Sequence, residues 1–194
     1  MPGESPPQTS CPCPPASFQK NPGAPGRYTA FIPEGFKTAK PECTGVVSNL
    51  AGISYGTPSS VTIYSQCTRS SSDYFVINQR GYIYAPTTGT YTFQAPNTDD
   101  WLGLWVGAKA YSGWTRANAD LDLVYETSPN SVGISLVAGQ YYAFRIVYAN
   151  GGGGAYFSMT VKDPTGTVLP SADLVQYSCD GVLARKYAAF GSEN

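Results

Sequence analysis

Tyr91, Phe93 and Ala95 alternate with Thr90, Thr92 and Gln94. That period of two belongs to a β-strand with one face buried. It recurs at Tyr142, Phe144, Ile146 and Tyr148, and again at Phe157, Met159 and Val161. Shorter runs cover Asp73 to Ile77 and Tyr82 to Ala85, and the β pattern begins near Tyr28. Gly89 and Gly139 stand at turn positions just before two of the runs. No long segment carries helical periodicity with caps; the helical candidates are short, Ser48 to Ala51 and Ala117 to Asp122. With 21 Gly, 16 Pro and 15 Tyr, the chain reads as an all-β sandwich or barrel with frequent turns.

Residues 101–111 are apolar on both parities. Leu102, Leu104, Val106, Ala108 and Ala110 share one face, and Trp101, Gly103, Trp105, Gly107, Lys109 and Tyr111 the other. This predicts a central strand, with glycines where something approaches the backbone closely. Residues 1–17 read as a proline-rich arm, 18–185 as the domain, and 186–194 as a tail whose last residues look like a tag linker. Met1 precedes no apolar leader, and no membrane-spanning run occurs, so no membrane insertion is expected. A mature fragment is the preferred reading, because the cysteines suit an oxidising compartment.

Histidine is absent, which excludes a Ser-His-Asp triad, a Cys-His dyad and a His-ligated zinc site. A net charge of −1 provides no basic field for nucleic acid. Cys11, Cys13, Cys43, Cys67 and Cys179 contain no Cys-x-x-Cys pair, so disulfides are expected rather than zinc. The expected pairs are Cys43 with Cys67, and Cys11 or Cys13 with Cys179, leaving one cysteine over.

The chemistry concentrates in two stretches. Asn97-Thr98-Asp99-Asp100 leads into the 101–111 run, and Asn150 opens Gly151-Gly152-Gly153-Gly154 after the Tyr142 to Tyr148 strand. Carboxylates, an amide oxygen and backbone carbonyls are what Ca²⁺ selects. Adjacent side chains on an ordinary strand point to opposite faces, so Asp99 and Asp100 converge only if the backbone is unusual, as with a cis peptide. Either stretch also reads as a solvated turn.

Asp-Asp-Trp-Leu-Gly-Leu-Trp-Val-Gly-Ala-Lys-Ala-Tyr, Ser-Gly-Trp-Thr-Arg-Ala-Asn-Ala-Asp-Leu and Arg-Ile-Val-Tyr-Ala-Asn-Gly-Gly-Gly-Gly-Ala-Tyr-Phe-Ser-Met, in this order, resemble a fungal adhesin lectin domain. The branch is GLEYA, within the PA14-like domains, akin to yeast flocculins and epithelial adhesins. The resemblance spans roughly residues 25–180. It implies a PA14-like antiparallel β-sandwich with calcium-binding loops at one end. It also implies an Asp-cis-Asp pair at Asp99 and Asp100, and further ligands from Asn150 and the carbonyls of Gly152 and Gly154. Sugar hydroxyls would complete the calcium shell. The implied setting is a secreted, non-catalytic domain at a fungal cell surface, a monomer displayed in many copies. The literal Gly-Leu-Glu-Tyr-Ala string is absent, and the second loop is all glycine where those adhesins carry larger side chains. Terminal galactose, mannose and N-acetylglucosamine therefore all stay open.

Around the ion, Gly151, Gly153, Trp114 and Arg116 are further sugar-contact candidates. Trp101, Trp105, Lys109, Asp120 and Asp122 read as core or solvated surface. A module with a purely structural calcium is the alternative. A glycoside hydrolase fits less well, because adjacent carboxylates are too close to flank a glycosidic bond.

Overall fold

The computed structural model of the chain describes residues 16–20, 33–45, 50, 52–56, 60–125, 130–169, 175–176 and 187–193. Antiparallel strands dominate. The largest sheet orders Leu121–Val124, Trp101–Val106, Gln140–Asn150, Phe75–Ala85, Ala16–Lys20 and Cys43–Gly45, with Val175–Gln176 also on Phe75–Ala85. A second sheet orders Ser131–Leu136, Gly89–Gln94, Thr160–Lys162 and Val168–Leu169. Ile53–Tyr55, Ala155–Phe157 and Thr98–Asp99 form a third, and Val61–Ile63 pairs with Cys67–Arg69.

Alternation decides which side chains face which layer. Leu102 and Leu104, Phe144 and Ile146, and Phe75 and Ile77 join Tyr91, Phe93 and Val161 of the second sheet in the main core. The opposite parity of the same strands supplies Trp101, Trp105, Val76, Val147 and Ala149 to a second core with Phe36 and Trp114. Trp101–Val106 is thus a central strand buried on both faces, as its two-sided apolar pattern predicts. What approaches Gly103 is its own neighbours: a Cβ there would meet the Trp105 ring at 2.5 Å and the Trp101 ring at 2.7 Å.

Several sequence boundaries shift. The Trp101–Val106 strand stops at Gly107, whose φ is 82°, and Ala108–Ala110 form a 3₁₀ turn. Asp73 to Ile77 and Tyr82 to Ala85 belong to one strand of 11 residues, Phe75–Ala85. Phe157 and Val161 share parity but lie in different sheets. In place of a helix at Ala117 to Asp122, a 3₁₀ turn at Arg116–Asn118 leads into the Leu121–Val124 strand. The Ser48 to Ala51 candidate lies outside the described residues except Leu50. Ala16–Lys20 is a strand, so the sheet begins inside the stretch assigned to the arm. Cys43 and Cys67 form the expected disulfide. Cys11, Cys13 and Cys179 lie outside the described residues.

The C-terminal residues are structural. Glu193 is 2% exposed, and its carboxylate takes Arg145 Nη2 at 2.8 Å, Asn78 Nδ2 at 3.2 Å and the Arg80 guanidinium. Arg145 also donates to Asn78 Oδ1 at 2.7 Å and Ala110 O at 2.9 Å. Tyr187 donates to the carbonyls of Gly81 and Phe144. Residues 187–193 therefore close the second core.

Candidate functional site

Three chain segments meet at one end of the sheets. Thr98–Asp99 pairs with Ala155–Phe157, placing Asp99 opposite Tyr156. Asp100 sits between that short strand and Trp101–Val106, and is 1% exposed. The peptide bond joining Asp99 and Asp100 is cis. Asn150, fully buried, is the last residue of Gln140–Asn150. The pairing of Ala149 with Trp101 in the neighbouring strand carries Asn150 alongside Asp100.

Both carboxylates border the glycine loop. The Gly151 N–H donates to Asp100 Oδ2. A Cβ added at Gly154 would lie 3.8 Å from Asp99 Oδ2 and 3.6 Å from the Tyr55 carbonyl. At Gly151 a Cβ would sit 2.8 Å from Asp100 Oδ2, so that position accepts no side chain without moving the acid. Gly153 has a φ of 99°, open to glycine and costly for other residues. Of the loop's four glycines, Gly151 and Gly154 thus allow the close approach of backbone to the two acids.

Sequence reasoning did not find the third segment, Ser72-Asp73-Tyr74. Asn150 Nδ2 donates to the Ser72 carbonyl at 2.7 Å, which turns the amide and fixes its side chain. Asp73 Oδ1 accepts the Gly153 N–H at 2.8 Å. The Tyr74 N–H donates to the Gly151 carbonyl at 2.5 Å, and Ser72 Oγ to the Gly153 carbonyl at 3.5 Å. A Ser-rich stretch reads as a solvated turn, and nothing local in it announces that it braces a distant loop.

Tyr148 supports the pair from below. Its hydroxyl donates to the Asp99 carbonyl and lies 3.5 Å from Asn150 Oδ1. Its ring stacks on Phe157 at 4.7 Å. Burial, then the charges of Asp100 and Asp99, hold the Tyr148 hydroxyl well above its ordinary range, so it remains a donor.

The donor set suits a hard cation. It consists of two carboxylates, one amide and loop carbonyls, all oxygen. Among the described residues no group of three or more His, Cys, Asp or Glu is placed to hold a metal, so two carboxylates are all the acidic groups this set brings together. A pocket of about 250 Å³ adjoins Asp99, lined by Asn97, Thr98, Tyr125 and Tyr156 among others.

Two predicted sugar contacts need correction. Trp114 is fully buried, edge-on to Trp105 at 5.4 Å with Arg145 over its face at 4.6 Å, so no sugar can reach its ring. Arg116 is paired with Asp122 at 3.0 Å and lies over the Trp101 ring. Its guanidinium braces the 108–122 segment. Lys109 likewise pairs with Asp120 at 2.6 Å.

Residues 75–163 match the GLEYA domain. The match runs from the first residue of the Phe75–Ala85 strand past the glycine loop, and so includes Asp99, Asp100 and Asn150. Around it, the chain is 28% identical over 167 residues to pfl4 of Schizosaccharomyces pombe, named for cell agglutination. The aligned part is 80% of this chain and 27% of pfl4. Identity is also 28% over 138 residues to Flocculation protein FLO1 of Saccharomyces cerevisiae, covering 64% of this chain and 9% of FLO1. The chain spans about a quarter or less of these curated relatives. Among solved structures, the Epithelial Adhesin 6 A domain of Candida glabrata, crystallised with Galb1-3GlcNAc, superposes with a TM-score of 0.67. Identity there is 17%, covering 94% of this chain and 97% of that one. A PA14 sugar-binding domain from an RTX adhesin gives 0.58 at 12% identity, covering 84% and 97%. The chain therefore has the PA14-like β-sandwich fold.

Proposed function

We propose that this chain binds terminal sugars through a calcium ion held by Asp99, Asp100, Asn150 and the carbonyls of Gly152 and Gly154. The observation that carries the reading is the shared orientation of two adjacent acids toward one glycine loop. Asp100 Oδ2 accepts the Gly151 N–H, and Asp99 Oδ2 faces Gly154. Ser72 and Tyr74 engage the carbonyls of Gly153 and Gly151, the two that are not assigned to the ion. Calcium, when bound, supplies a hard acceptor for two neighbouring sugar hydroxyls. The protein's part is to hold its oxygens in place, and the cation's charge would offset the repulsion between the two acids.

Galactose-containing glycans are the first ligands to test, because the matched Candida glabrata domains were crystallised with them. A single small, wet contact implies a monosaccharide Kd of order millimolar, about −4 kcal/mol. Firm adhesion then depends on many copies of the domain on one fungal surface. The test is a glycan array with and without excess chelator, run on wild type, Asp99→Ala and Asp100→Ala. Signal from wild type without chelator, lost in chelator and in each variant with the variants' Tm retained, is the expected result. Equal signal in chelator ends the reading.

A further inference from the structure

An ion that coordinates vicinal hydroxyls accepts many sugars, so discrimination must come from side chains around it. The loop of Gly151 to Gly154 supplies none, and its outermost residue, Gly152, is exposed. The side chain that reaches this gap comes from another segment. A Cβ placed on Gly152 would meet Tyr74 Oη at 3.6 Å and Tyr74 Cζ at 3.9 Å. Tyr74 is 38% exposed, one of the few large aromatic side chains displayed at the surface among the described residues.

Its position is set by the backbone. Tyr74 has a φ of 50°, a left-handed conformation that a bulky side chain rarely adopts. The N–H is spent on the Gly151 carbonyl at 2.5 Å, and the carbonyl receives Arg69 Nη2 at 3.5 Å. Asp73 ties the same turn to the Gly153 N–H. Strain of this kind persists where surrounding structure over-determines it, and it gathers at functional sites.

We infer that Tyr74 is the selectivity-determining side chain of the sugar site, taking over the outer wall that a side chain at Gly152 would otherwise form. This rests on the calcium-dependent sugar reading above. The phenol offers a hydroxyl that both donates and accepts, and an aromatic edge for the apolar face of a pyranose. Asp99, Asp100 and Asn150 govern whether a sugar binds, and Tyr74 governs which one.

The test is a glycan array of wild type, Tyr74→Phe, Tyr74→Ala and Tyr74→Gly, with calcium affinity measured by calorimetry on each and Tm recorded. Tyr74→Ala should lose at least ten-fold on the preferred glycan while calcium affinity stays within two-fold. Tyr74→Phe should change the rank order of glycans bound. Tyr74→Gly, which removes the left-handed strain, should fold with an unchanged or higher Tm and still lose the preference, so the loss cannot be ascribed to unfolding. Wild-type rank order and affinity in all three variants would overturn this inference while leaving the calcium site standing. Wild type that binds neither calcium nor any glycan would overturn both.

Discussion

Gly151 and Gly154 are chemically identical, yet they differ in what a methyl group would meet. At Gly151 it would lie 2.8 Å from Asp100 Oδ2, inside van der Waals contact, and at Gly154 3.8 Å from Asp99 Oδ2, an ordinary contact. Asp100 is buried and cannot swing into solvent to make room. Gly151→Ala should therefore displace that carboxylate and weaken calcium binding at least ten-fold, about 1.4 kcal/mol. Gly154→Ala should leave it within about two-fold. Calorimetric titration of both variants separates the positions, and equal affinities would mean the acid does not depend on the loop. The acids and Asn150 were legible in the sequence because their residue types announce oxygen ligation and their stretches carry a family resemblance. Ser72, Asp73 and Tyr74 were not, since their role consists of contacts to a loop some 80 residues away in sequence. Trp114 misled for the opposite reason: flanking glycines suggest an exposed loop, while Arg145 and Trp105 enclose the ring.

At the level of elements, the sequence shows the sandwich strands wherever one face is apolar and the other polar. It fails at Asn78-Gln79-Arg80-Gly81, which looks like an interruption and lies inside the longest strand pairing, Phe75–Ala85 with Gln140–Asn150. Polar residues are tolerated there because the single carboxylate of Glu193 ion-pairs with both Arg80 and Arg145. The partner is remote, and its own surroundings, Gly191-Ser192-Glu193, read as linker. A charge pair this deeply buried is costly to break. Glu193→Ala leaves two buried guanidiniums sharing no carboxylate and should destabilise the domain by roughly 3–5 kcal/mol. Urea unfolding measures it, and a change below about 1 kcal/mol, the scale of exposed pairs, would show that the ends of these side chains are solvated. A second element-level prediction concerns the disulfide that ties Cys43–Gly45 to Cys67–Arg69 across a sequence separation of 24. Closing a loop of that size stabilises by about 3 kcal/mol, so the Cys43→Ser, Cys67→Ser double variant should melt roughly 6–12 °C lower.

For the whole molecule, the defining property is a large sheet buried on both faces, and tyrosines on it and packed around it make that burial measurable. Tyr64, Tyr82, Tyr148 and Tyr187 are each raised above the ordinary 10.0, with burial the largest cause in every case. In the unfolded chain each would lose its proton near pH 10, while in the folded domain it keeps it to higher pH. The stabilisation from these four groups is thus complete below pH 10 and is lost as pH rises through their folded values. Arg80 works the other way. Burial lowers it to about 10 against the opposing pull of Glu193, so between there and its ordinary, higher value the unfolded state holds the extra proton and stability gains with pH. Arg145 is lowered likewise, by burial first. Four tyrosines outweigh two arginines, and the net sign is destabilising above pH 10. The urea midpoint should hold level from neutral pH to about 9 and then fall steeply. Tyrosinate absorbance should rise in two stages, a fast one from the exposed members of the 15 tyrosines and a second that appears only as the far-ultraviolet β signal disappears. A single reversible titration of all of them, with the β signal intact, would mean that water reaches both faces of the sheet and that the Trp-rich second core is not closed.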